Sequence, residues 1–210
     1  MSKTRIVIFG ASGQAMETID LIENNVNAKI LGLIDIKPFE KSVLGYKYLG
    51  SDSEIDTIIE NKRATHFFVA IGDLKIRSKL YEIMGKKLMP LSIFSKKANI
   101  SKYAKFGDHV IIYPGVTINA GASVGNNVLL NSNASIGHEV KVGNHVNIQP
   151  GANIAGRVEI GDFSTIGIGA SVRENLKIAK NTFIGGGAMV IEDTKSGKTY
   201  AGVPAKILKT

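Results

Sequence analysis

The chain contains no cysteine and no tryptophan, and aromatic residues make up only 7% of its 210 positions. The absence of cysteine excludes disulfide bonds, zinc–thiolate sites, iron–sulfur clusters and a cysteine nucleophile. Any acid–base or nucleophilic chemistry must use other side chains. No apolar run approaches the roughly 18 residues of a membrane span, and the N-terminal RIVIFGA segment has the pattern of a strand and a turn, not of a signal peptide. We expect a cytoplasmic protein without membrane insertion.

Positive charge is in excess but is not concentrated anywhere. The formal net charge of +8 divides evenly, with +4 before and +4 after residue 97. No basic tail or arginine-rich run occurs, and aromatic residues do not alternate with basic ones as they do in single-strand nucleic-acid binders. We therefore expect no nucleic-acid partner, since a diffuse positive field suits small anionic ligands at least as well.

A six-residue repeat dominates the second part of the chain. Stepping by six from Ile100 to Val190 meets only isoleucine, valine, leucine and one phenylalanine, and a small or β-branched residue nearly always stands two positions earlier. This period fits a triangular solenoid, with one short strand and one corner per hexad, better than a helix or an alternating strand. The repeat predicts a left-handed parallel β-helix with three hexads per coil. Gly, Asn and Asp directly after the aliphatic position are expected to supply positive φ angles or tight corner geometry.

The first part of the chain alternates strand and helix patterns instead. Strands are predicted at Arg5–Phe9, Lys29–Asp35 and His66–Ile71, and helices at Ala15–Asn24, Ser53–Asn61 and Asp73–Lys86. This order is typical of a small parallel sheet with right-handed crossovers. We therefore predict an α/β Rossmann-like βαβαβ domain over residues 1–90, followed by a β-helix domain with a C-terminal tail over residues 91–210.

A glycine-containing turn, Gly10 to Gly13, separates the first strand from the first helix. A helix N-terminus behind such a turn can bind phosphate, but the full G-x-G-x-x-G fingerprint of dinucleotide sites is missing. The spacing alone equally allows a turn in which glycine is needed only for geometry. Asp35 and Gly72 come at the ends of the second and third strands, where ligands of parallel sheets usually bind.

His138 is the most distinctive residue of the repeat. It lies two positions after the inward Ile136 and is followed by Glu139, so spacing alone allows either a solvated surface pair or a catalytic one. Gly156 stands one coil later, which places a backbone N–H without a side chain about 4.8 Å above the imidazole. A neutral imidazole beside an amide donor suffices for acyl transfer, with histidine as base, the amide stabilising the oxyanion and glutamate fixing the tautomer.

The remaining histidines favour no metal site. His109 and His145 are two coils apart in the sequence, hence about 9.6 Å along one corner, which is too far to share a metal within one chain. A zinc-dependent hydratase of the γ-carbonic anhydrase type, which binds zinc between β-helices, is disfavoured because His138 is out of phase with them. His66 begins a predicted strand and is expected to be structural.

Several segments together resemble the bacterial PglD/NeuD/PerB family of nucleotide-sugar N-acetyltransferases and sialic acid O-acetyltransferases. They are IVIFGASGQ, IDIKP, FFVAIGD, SIGHEVKVG, IGGGAMV and AGVPAKI, and the similarity extends over essentially the whole chain. The resemblance implies a homotrimer with active sites between adjacent β-helices. It also implies that acetyl-CoA is the co-substrate and that the acceptor is the amine of a nucleotide-linked 4-amino-4,6-dideoxy sugar destined for surface glycans.

The resemblance also implies roles for individual residues. His138 matches the catalytic base and Glu139 the acid that enhances it. The nucleotide-sugar site is matched by Ser12, Gly13, Gln14, Asp35, Ile36 and Gly72, and the acetyl-CoA groove by Asn147, Gly156, Ile168 and Gly186, with Pro204 one further coil along. Relatives often have histidine at the positions of Gln14 and Asn147. The first departure affects the choice of nucleotide or sugar, whereas asparagine at the second can still donate a hydrogen bond.

We interpret the chain as an acetyl-CoA-dependent sugar N-acetyltransferase that works by direct attack of the amine on the thioester. A covalent enzyme intermediate is not expected, because cysteine is absent and no serine is paired with His138 in the repeat. The alternatives are a sialic acid-type O-acetyltransferase and a non-catalytic nucleotide-sugar sensor. The sequence leaves open whether the nucleotide is UDP, GDP or dTDP, and which carbon bears the amine.

Overall fold

The computed structural model of the chain describes residues 4–36 and 42–208. The chain divides into two compact units, Met1–Ile93 and Phe94–Thr210. No helix in the described ranges is both long and apolar enough to cross a membrane.

The first unit is a six-stranded sheet with three α-helices. Its strands are β1 (Thr4–Phe9), β2 (Ala28–Ile34), β3 (Ser42–Val43), β4 (Tyr46–Gly50), β5 (His66–Val69) and β6 (Met89–Pro90), and its helices are α1 (Gly13–Asn25), α2 (Ile55–Lys62) and α3 (Leu74–Met84). The strand order is β3-β4-β2-β1-β5-β6. All pairs are parallel except β3 with β4. The central strands β1 and β5 are almost fully buried, which explains their uninterrupted apolar sequences.

The predicted three strands and three helices are all present, with ends shifted by a few residues, and the structure adds β3, β4 and β6. Strands β3 and β6 have two residues each, too few for a hydrophobic period to identify them. Strand β4 has five residues, but its YKYLG sequence is not an uninterrupted apolar run like those of β1 and β5. The turn after β1 is also shorter than the sequence suggested. Helix α1 begins at Gly13 with Ser12 as its N-cap, so Gln14 lies in the first helical turn and not in the loop.

The second unit is a β-helix with three sheets, called here faces 1, 2 and 3, whose strands pair parallel except for the last two strands of face 1, which pair antiparallel. Face 1 contains β7 (Ile93–Phe94), β10 (Ile111–Ile112), β13 (Leu129–Leu130), β16 (Asn147–Ile148), β19 (Thr165–Ile166), β22 (Phe183–Ile184), β24 (Thr199–Ala201) and β25 (Lys206–Ile207). Face 2 contains β8 (Asn99–Ile100), β11 (Thr117–Ile118), β14 (Ser135–Ile136), β17 (Asn153–Ile154), β20 (Ser171–Val172) and β23 (Met189–Val190). Face 3 contains β9 (Lys105–Phe106), β12 (Ser123–Val124), β15 (Lys141–Val142), β18 (Glu159–Ile160) and β21 (Lys177–Ile178).

Each coil pairs with the next at a step of three hexads. Ile118 lies beside Ile136, and Ile136 beside Ile154, in one unbroken register. The repeating aliphatic side chains point inward, and from Ile112 to Val190 none exceeds 5% exposure. Each face contributes one such column, and these columns form a continuous core together with the small residues two positions earlier. The predicted fold class, a Rossmann-like domain followed by a left-handed β-helix, is confirmed.

Of the two roles predicted for the residues directly after the aliphatic position, the structure shows tight corner geometry and not positive φ. Positive φ angles fall on the third residue after each inward aliphatic residue, not on the first, and lie between 54° and 77° from His109 to Gly187. The glycines directly after the aliphatic residue have a different reason. A Cβ on Gly161 would lie 2.6 Å from the backbone nitrogen of Lys180 in the next coil. These glycines are required by the close approach of two coils, not by an unusual φ.

Two substitutions test the difference between glycines that lie against the next coil and glycines that have a positive φ. Gly161→Ala is expected to lower the free energy of unfolding by about 1–3 kcal/mol, because its Cβ meets backbone that cannot move aside. Gly151→Asn is the matched control: its φ is +67° and nothing lies within 4 Å of a Cβ there, and asparagine tolerates this conformation. We expect a change within about 0.5 kcal/mol for the control. Urea denaturation measures both, and equal losses would refute the distinction.

The C-terminal segment covers the last coil. Asp193 and Thr194 side chains accept hydrogen bonds from the backbone N–H groups of Lys177 and Ala179, at 2.8 and 2.9 Å. These contacts replace the missing next strand and protect a sheet edge that would otherwise be open. On face 1, β22 pairs with β24 at a shortened step, in which Ile184 lies beside Tyr200.

Candidate active site

The corners are named by the faces they join, so that corner 2/3 follows face 2. The corners differ in the acceptor that bonds one backbone amide, the N–H of the second residue after each inward aliphatic residue. At corner 3/1, asparagine and aspartate side chains of the next coil accept these bonds at 2.7–2.8 Å, from Asp108 to Asn126, from Asn126 to Asn144 and from Asn144 to Asp162. At the other two corners, the corresponding N–H groups of Gly156, Ile168 and Gly186 donate no hydrogen bond within the described residues. These amides are available to a ligand.

His138 and Glu139 lie together on corner 2/3. The His138 Nδ1 is 3.0 Å from Oε2 of Glu139. Because a carboxylate can only accept, this bond in the neutral imidazole places the proton on Nδ1 and leaves the lone pair on Nε2. The His138 side chain is 52% exposed, and Glu139 occupies a positive-φ position with φ at 59°. The pair therefore presents a basic ring nitrogen at the surface of the protomer.

Gly156 lies directly against the imidazole, in the next coil of the same corner. A Cβ at this position would be 2.4 Å from Nε2 of His138 and 2.6 Å from Cε1. Only glycine leaves room for the ring where it stands. Since the N–H of Gly156 is available, a base and an amide donor lie next to each other, as acyl transfer requires.

Two further residues of this corner were missed by the sequence analysis. Arg157 Nη1 lies 3.8 Å from Oε2 of Glu139, and Arg157 Nε donates to Oδ1 of Asn175 at 2.7 Å. Both residues follow Glu139 at successive coil steps. Applying the coil length to Glu139, as was done for His138, would have found them.

Of the predicted acetyl-CoA residues, Gly156 lies against His138, whereas Asn147, Ile168 and Gly186 do not gather around it in one protomer. Ile168 and Gly186 lie in successive coils of corner 1/2, across face 2 from His138, and a Cβ on Gly186 would be 3.2 Å from the Ile168 carbonyl oxygen. Asn147 lies on strand β16 of face 1 with only 4% exposure. Pro204 is not the next member of the Gly186 column, because the shortened step from β22 to β24 places Gly202 there.

The groove along face 3 and corner 3/1 is electrically balanced. It has a volume of about 680 Å³, and its charged lining residues are Lys141, Glu159, Lys177 and Asp193. Lys141 donates to Glu159 at 2.8 Å, and this hydrogen bond lowers the pKa of Glu159 and raises that of Lys141. Two ammonium groups face two carboxylates, so these side chains add no net charge for an anionic ligand.

In the first unit, the turn after β1 is held by the ends of neighbouring strands. The Gly10 N–H donates to the Ile34 carbonyl at 2.8 Å, and the Ala11 N–H donates to Oδ2 of Asp35 at 2.9 Å. A Cβ on Gly10 would lie 2.6 Å from the Ala70 carbonyl, and its φ is +106°. The fold itself therefore requires glycine at position 10.

Gly13 and Gly72 have no such structural requirement. Neither has a positive φ, and nothing lies within 4 Å of a Cβ at either position. Ser12 is the N-cap of α1, but its hydroxyl makes no capping bond, and Ile36 is exposed after β2. The structure thus brings the predicted residues to the carboxyl edge of the sheet and leaves open space over the two glycines.

The other histidines have structural partners. Asn127 bridges two of them, with its side chain 3.0 Å from Nδ1 of His109 and 2.8 Å from Nδ1 of His145. His145 also stacks on Phe163 with ring centroids 4.5 Å apart. Among residues 4–36 and 42–208, no group of three or more His, Cys, Asp or Glu side chains could hold a metal ion. The two histidines are joined through an amide, which accounts for their burial.

Comparisons with known proteins match both units. The family model of the PglD N-terminal domain matches residues 5–84, and that of the bacterial transferase hexapeptide, six repeats, matches residues 121–156. No curated protein sequence matches the chain.

Solved structures match the chain over nearly its full length. PerB from Caulobacter crescentus, in complex with CoA and GDP-perosamine, is 28% identical with a TM-score of 0.92, covering 97% of each chain. The acetyltransferase domain of PglB from Neisseria gonorrhoeae is 25% identical with a TM-score of 0.88, covering 98% of this chain and all of the other. WeeI from Acinetobacter baumannii has the same identity, TM-score and coverage.

Proposed function

Since the chain is a PglD/PerB-like sugar acetyltransferase on a hexapeptide-repeat β-helix, we propose that it acetylates the amine of a nucleotide-linked 4-amino-4,6-dideoxy sugar, with His138 as general base. Acetyl-CoA is the acetyl donor, and the product serves surface glycan synthesis. The observation that carries the proposal is the contact of His138 with both Glu139 and Gly156 on one corner of the β-helix.

The bond to Glu139 determines what His138 can do. With the proton on Nδ1, Nε2 can take a proton from the sugar amine as its nitrogen attacks the thioester carbonyl carbon. A carbon–nitrogen bond forms, and negative charge develops on the carbonyl oxygen. The available Gly156 N–H is the donor we assign to that oxygen, a role typically worth about 3 kcal/mol. Glu139 stabilises the imidazolium that forms.

Collapse of the addition product completes the transfer. The carbon–sulfur bond breaks, the carbonyl re-forms, and CoA leaves as a thiolate that receives the proton from His138. The acetyl group passes directly from the thioester to the amine, so no acetylated residue of the enzyme is needed.

The nucleotide part of the substrate is assigned to the first unit. The N-terminus of α1 carries partial positive charge, which favours a diphosphate. Gly13 and Gly72 leave space there that a side chain would fill. A relative with 28% identity, PerB, binds GDP-perosamine, a sugar nucleotide of the proposed class.

Acetyl-CoA is assigned to corner 1/2. The available N–H groups of Ile168 and Gly186 can bond the amide carbonyls of a pantetheine arm, and the exposed Ile168 side chain can pack on it. Because this corner and His138 are separated by face 2 in one protomer, we propose that a homotrimer brings corner 1/2 of one protomer to corner 2/3 of its neighbour. The protein would act in the cytoplasm, where acetyl-CoA is made.

A thiol-release assay with acetyl-CoA tests the function. We expect turnover with at least one of the UDP-, GDP- or dTDP-linked 4-amino-4,6-dideoxy sugars, and none with the corresponding 4-hydroxy sugars. Mass spectrometry of the product should show one added acetyl group on nitrogen. Turnover with free sialic acid instead would identify an O-acetyltransferase. Binding of a sugar nucleotide without thiol release from any member of the panel would identify a sensor.

A further inference from the structure

The positive-φ residues of corner 2/3 form a column of their own. Gly121, Glu139, Arg157 and Asn175 follow one another at successive coil steps. Backbone bonds hold them in register, with Glu139 N–H donating to Ala120, Arg157 N–H to His138 and Asn175 N–H to Gly156, at 2.9–3.1 Å. Gly121 lies against Glu139 from below, since a Cβ there would be 3.2 Å from Glu139 Cγ. Along this column, the Glu139 side chain therefore lies between Gly121 and Arg157.

One oxygen of Glu139 faces two partners. Oε2 lies 3.0 Å from His138 Nδ1 and 3.8 Å from Arg157 Nη1. The second distance exceeds that of a hydrogen bond, so Arg157 acts on the carboxylate as a charge. An opposite charge at this distance attracts the carboxylate even at the protein surface.

This carboxylate needs such a restraint. The Glu139 side chain is 62% exposed and has three rotatable bonds, so by itself it can turn into solvent and leave Nδ1 without an acceptor. Arg157 can hold it because its guanidinium has several N–H groups in a fixed plane. Nε donates to Asn175 at 2.7 Å, and the terminal nitrogen Nη1 lies near Glu139. Lysine has no second group for the contact with Asn175.

We propose that Arg157, anchored by Asn175, is a positioning residue that holds Glu139 against Nδ1 of His138. It thereby keeps the proton on Nδ1 and the lone pair on Nε2, the nitrogen that lies against Gly156. The kinetic part of this inference rests on the proposed function, whereas the tautomer of His138 can be measured without any substrate.

The direct test is the tautomer of His138, read from nitrogen-15 NMR shifts of the ring in the full-length protein above neutral pH. The chain has only four histidines, and His138→Asn identifies the signal that belongs to His138. We expect the Nδ1–H form to predominate in the wild type. In Arg157→Gln, the ratio of the Nδ1–H to the Nε2–H form should fall roughly two- to fivefold, the range typical of an exposed ion pair.

Kinetics provide a second readout. Arg157→Gln should lower kcat roughly two- to fivefold with the KM for acetyl-CoA unchanged, and Arg157→Lys should recover part of the loss. Lys180→Gln, which removes an equal charge at corner 3/1, is the control and should leave both parameters unchanged. In the background of Glu139→Gln, Arg157→Gln should have no further effect, because the two residues act through one contact.

An unchanged tautomer ratio in Arg157→Gln would overturn the inference, and so would additive effects in the double variant. These outcomes are distinguishable from failure of the proposed function. If the thiol-release assay shows no turnover with any sugar, the NMR measurement still decides whether Arg157 acts on His138 through Glu139.

Discussion

Replacement of His138 by alanine is expected to lower kcat by about 10²- to 10⁴-fold, the usual contribution of a positioned general base. The amine must lose a proton as it attacks, and Nε2 of His138 is the base that the geometry provides beside the Gly156 amide. With alanine, water has to take this proton. The side chain is half exposed, so its removal leaves no buried cavity, and the thermal unfolding midpoint should change little.

Two measurements make this result specific. Acetyl-CoA binding, followed by isothermal titration calorimetry, should be retained in His138→Ala, because the pantetheine amides are assigned to another corner. His66→Asn is the control histidine: burial lowers the pKa of His66, it lies in β5 of the first unit, and kcat should stay at the wild-type value. Near-normal turnover by His138→Ala would refute the assignment of the base and the mechanism derived from it.

Gly156→Ala is expected to lower kcat/KM by at least about 10²-fold without unfolding the protein, since an oxyanion donor is typically worth about 3 kcal/mol. The added Cβ would stand 2.4 Å from Nε2 of His138, so the imidazole must swing away. The ring then loses its bond to Glu139, and the methyl group covers the amide assigned to the oxyanion. Because the displaced atoms belong to an exposed side chain, stability should change by less than about 0.5 kcal/mol.

Gly161→Ala, at corner 3/1, is the comparison variant, because it adds the same methyl group at a glycine far from His138. There the Cβ meets backbone, so stability falls while His138 stays in place, and kcat of the folded enzyme should remain near normal. The two substitutions thus separate a glycine kept for the reaction from one kept for the stacking of coils. Full activity in Gly156→Ala would show that the close approach to His138 has no role in turnover.

The fold of the second unit was predictable because the residues of its core recur at a fixed spacing along the sequence. Every inward position recurs after one hexad, so Ile112, Ile118 and Val124 already identify three faces, and later coils repeat them. The details of the corners were not predictable from composition. Both the first and the third residue of a corner favour glycine or asparagine, and only the structure shows that the first is restricted by the neighbouring coil and the third by φ.

The candidate site was predictable as far as the coil step was applied. That step placed Gly156 above His138, and the structure shows this contact. Arg157 and Asn175 were missed because an arginine and an asparagine on the surface carry no signal by type. Pro204 was misplaced because the regular step ends at face 1, where the C-terminal segment shortens it. In the first unit, only the structure separates Gly10, which the fold requires, from Gly13.

The three corners also bear on how many reaction centres one chain can have. In a stack of identical coils, every coil would expose the same backbone N–H to solvent. At corner 3/1, asparagine and aspartate side chains of the following coil accept hydrogen bonds from the amides of Asp108, Asn126 and Asn144. At corner 2/3, one pair of adjacent coils differs from the repeat, because there His138 and Glu139 lie together and the His138 ring lies against Gly156. The acyl-transfer centre that we propose therefore occurs once among the described coils, and its number does not depend on the length of the β-helix.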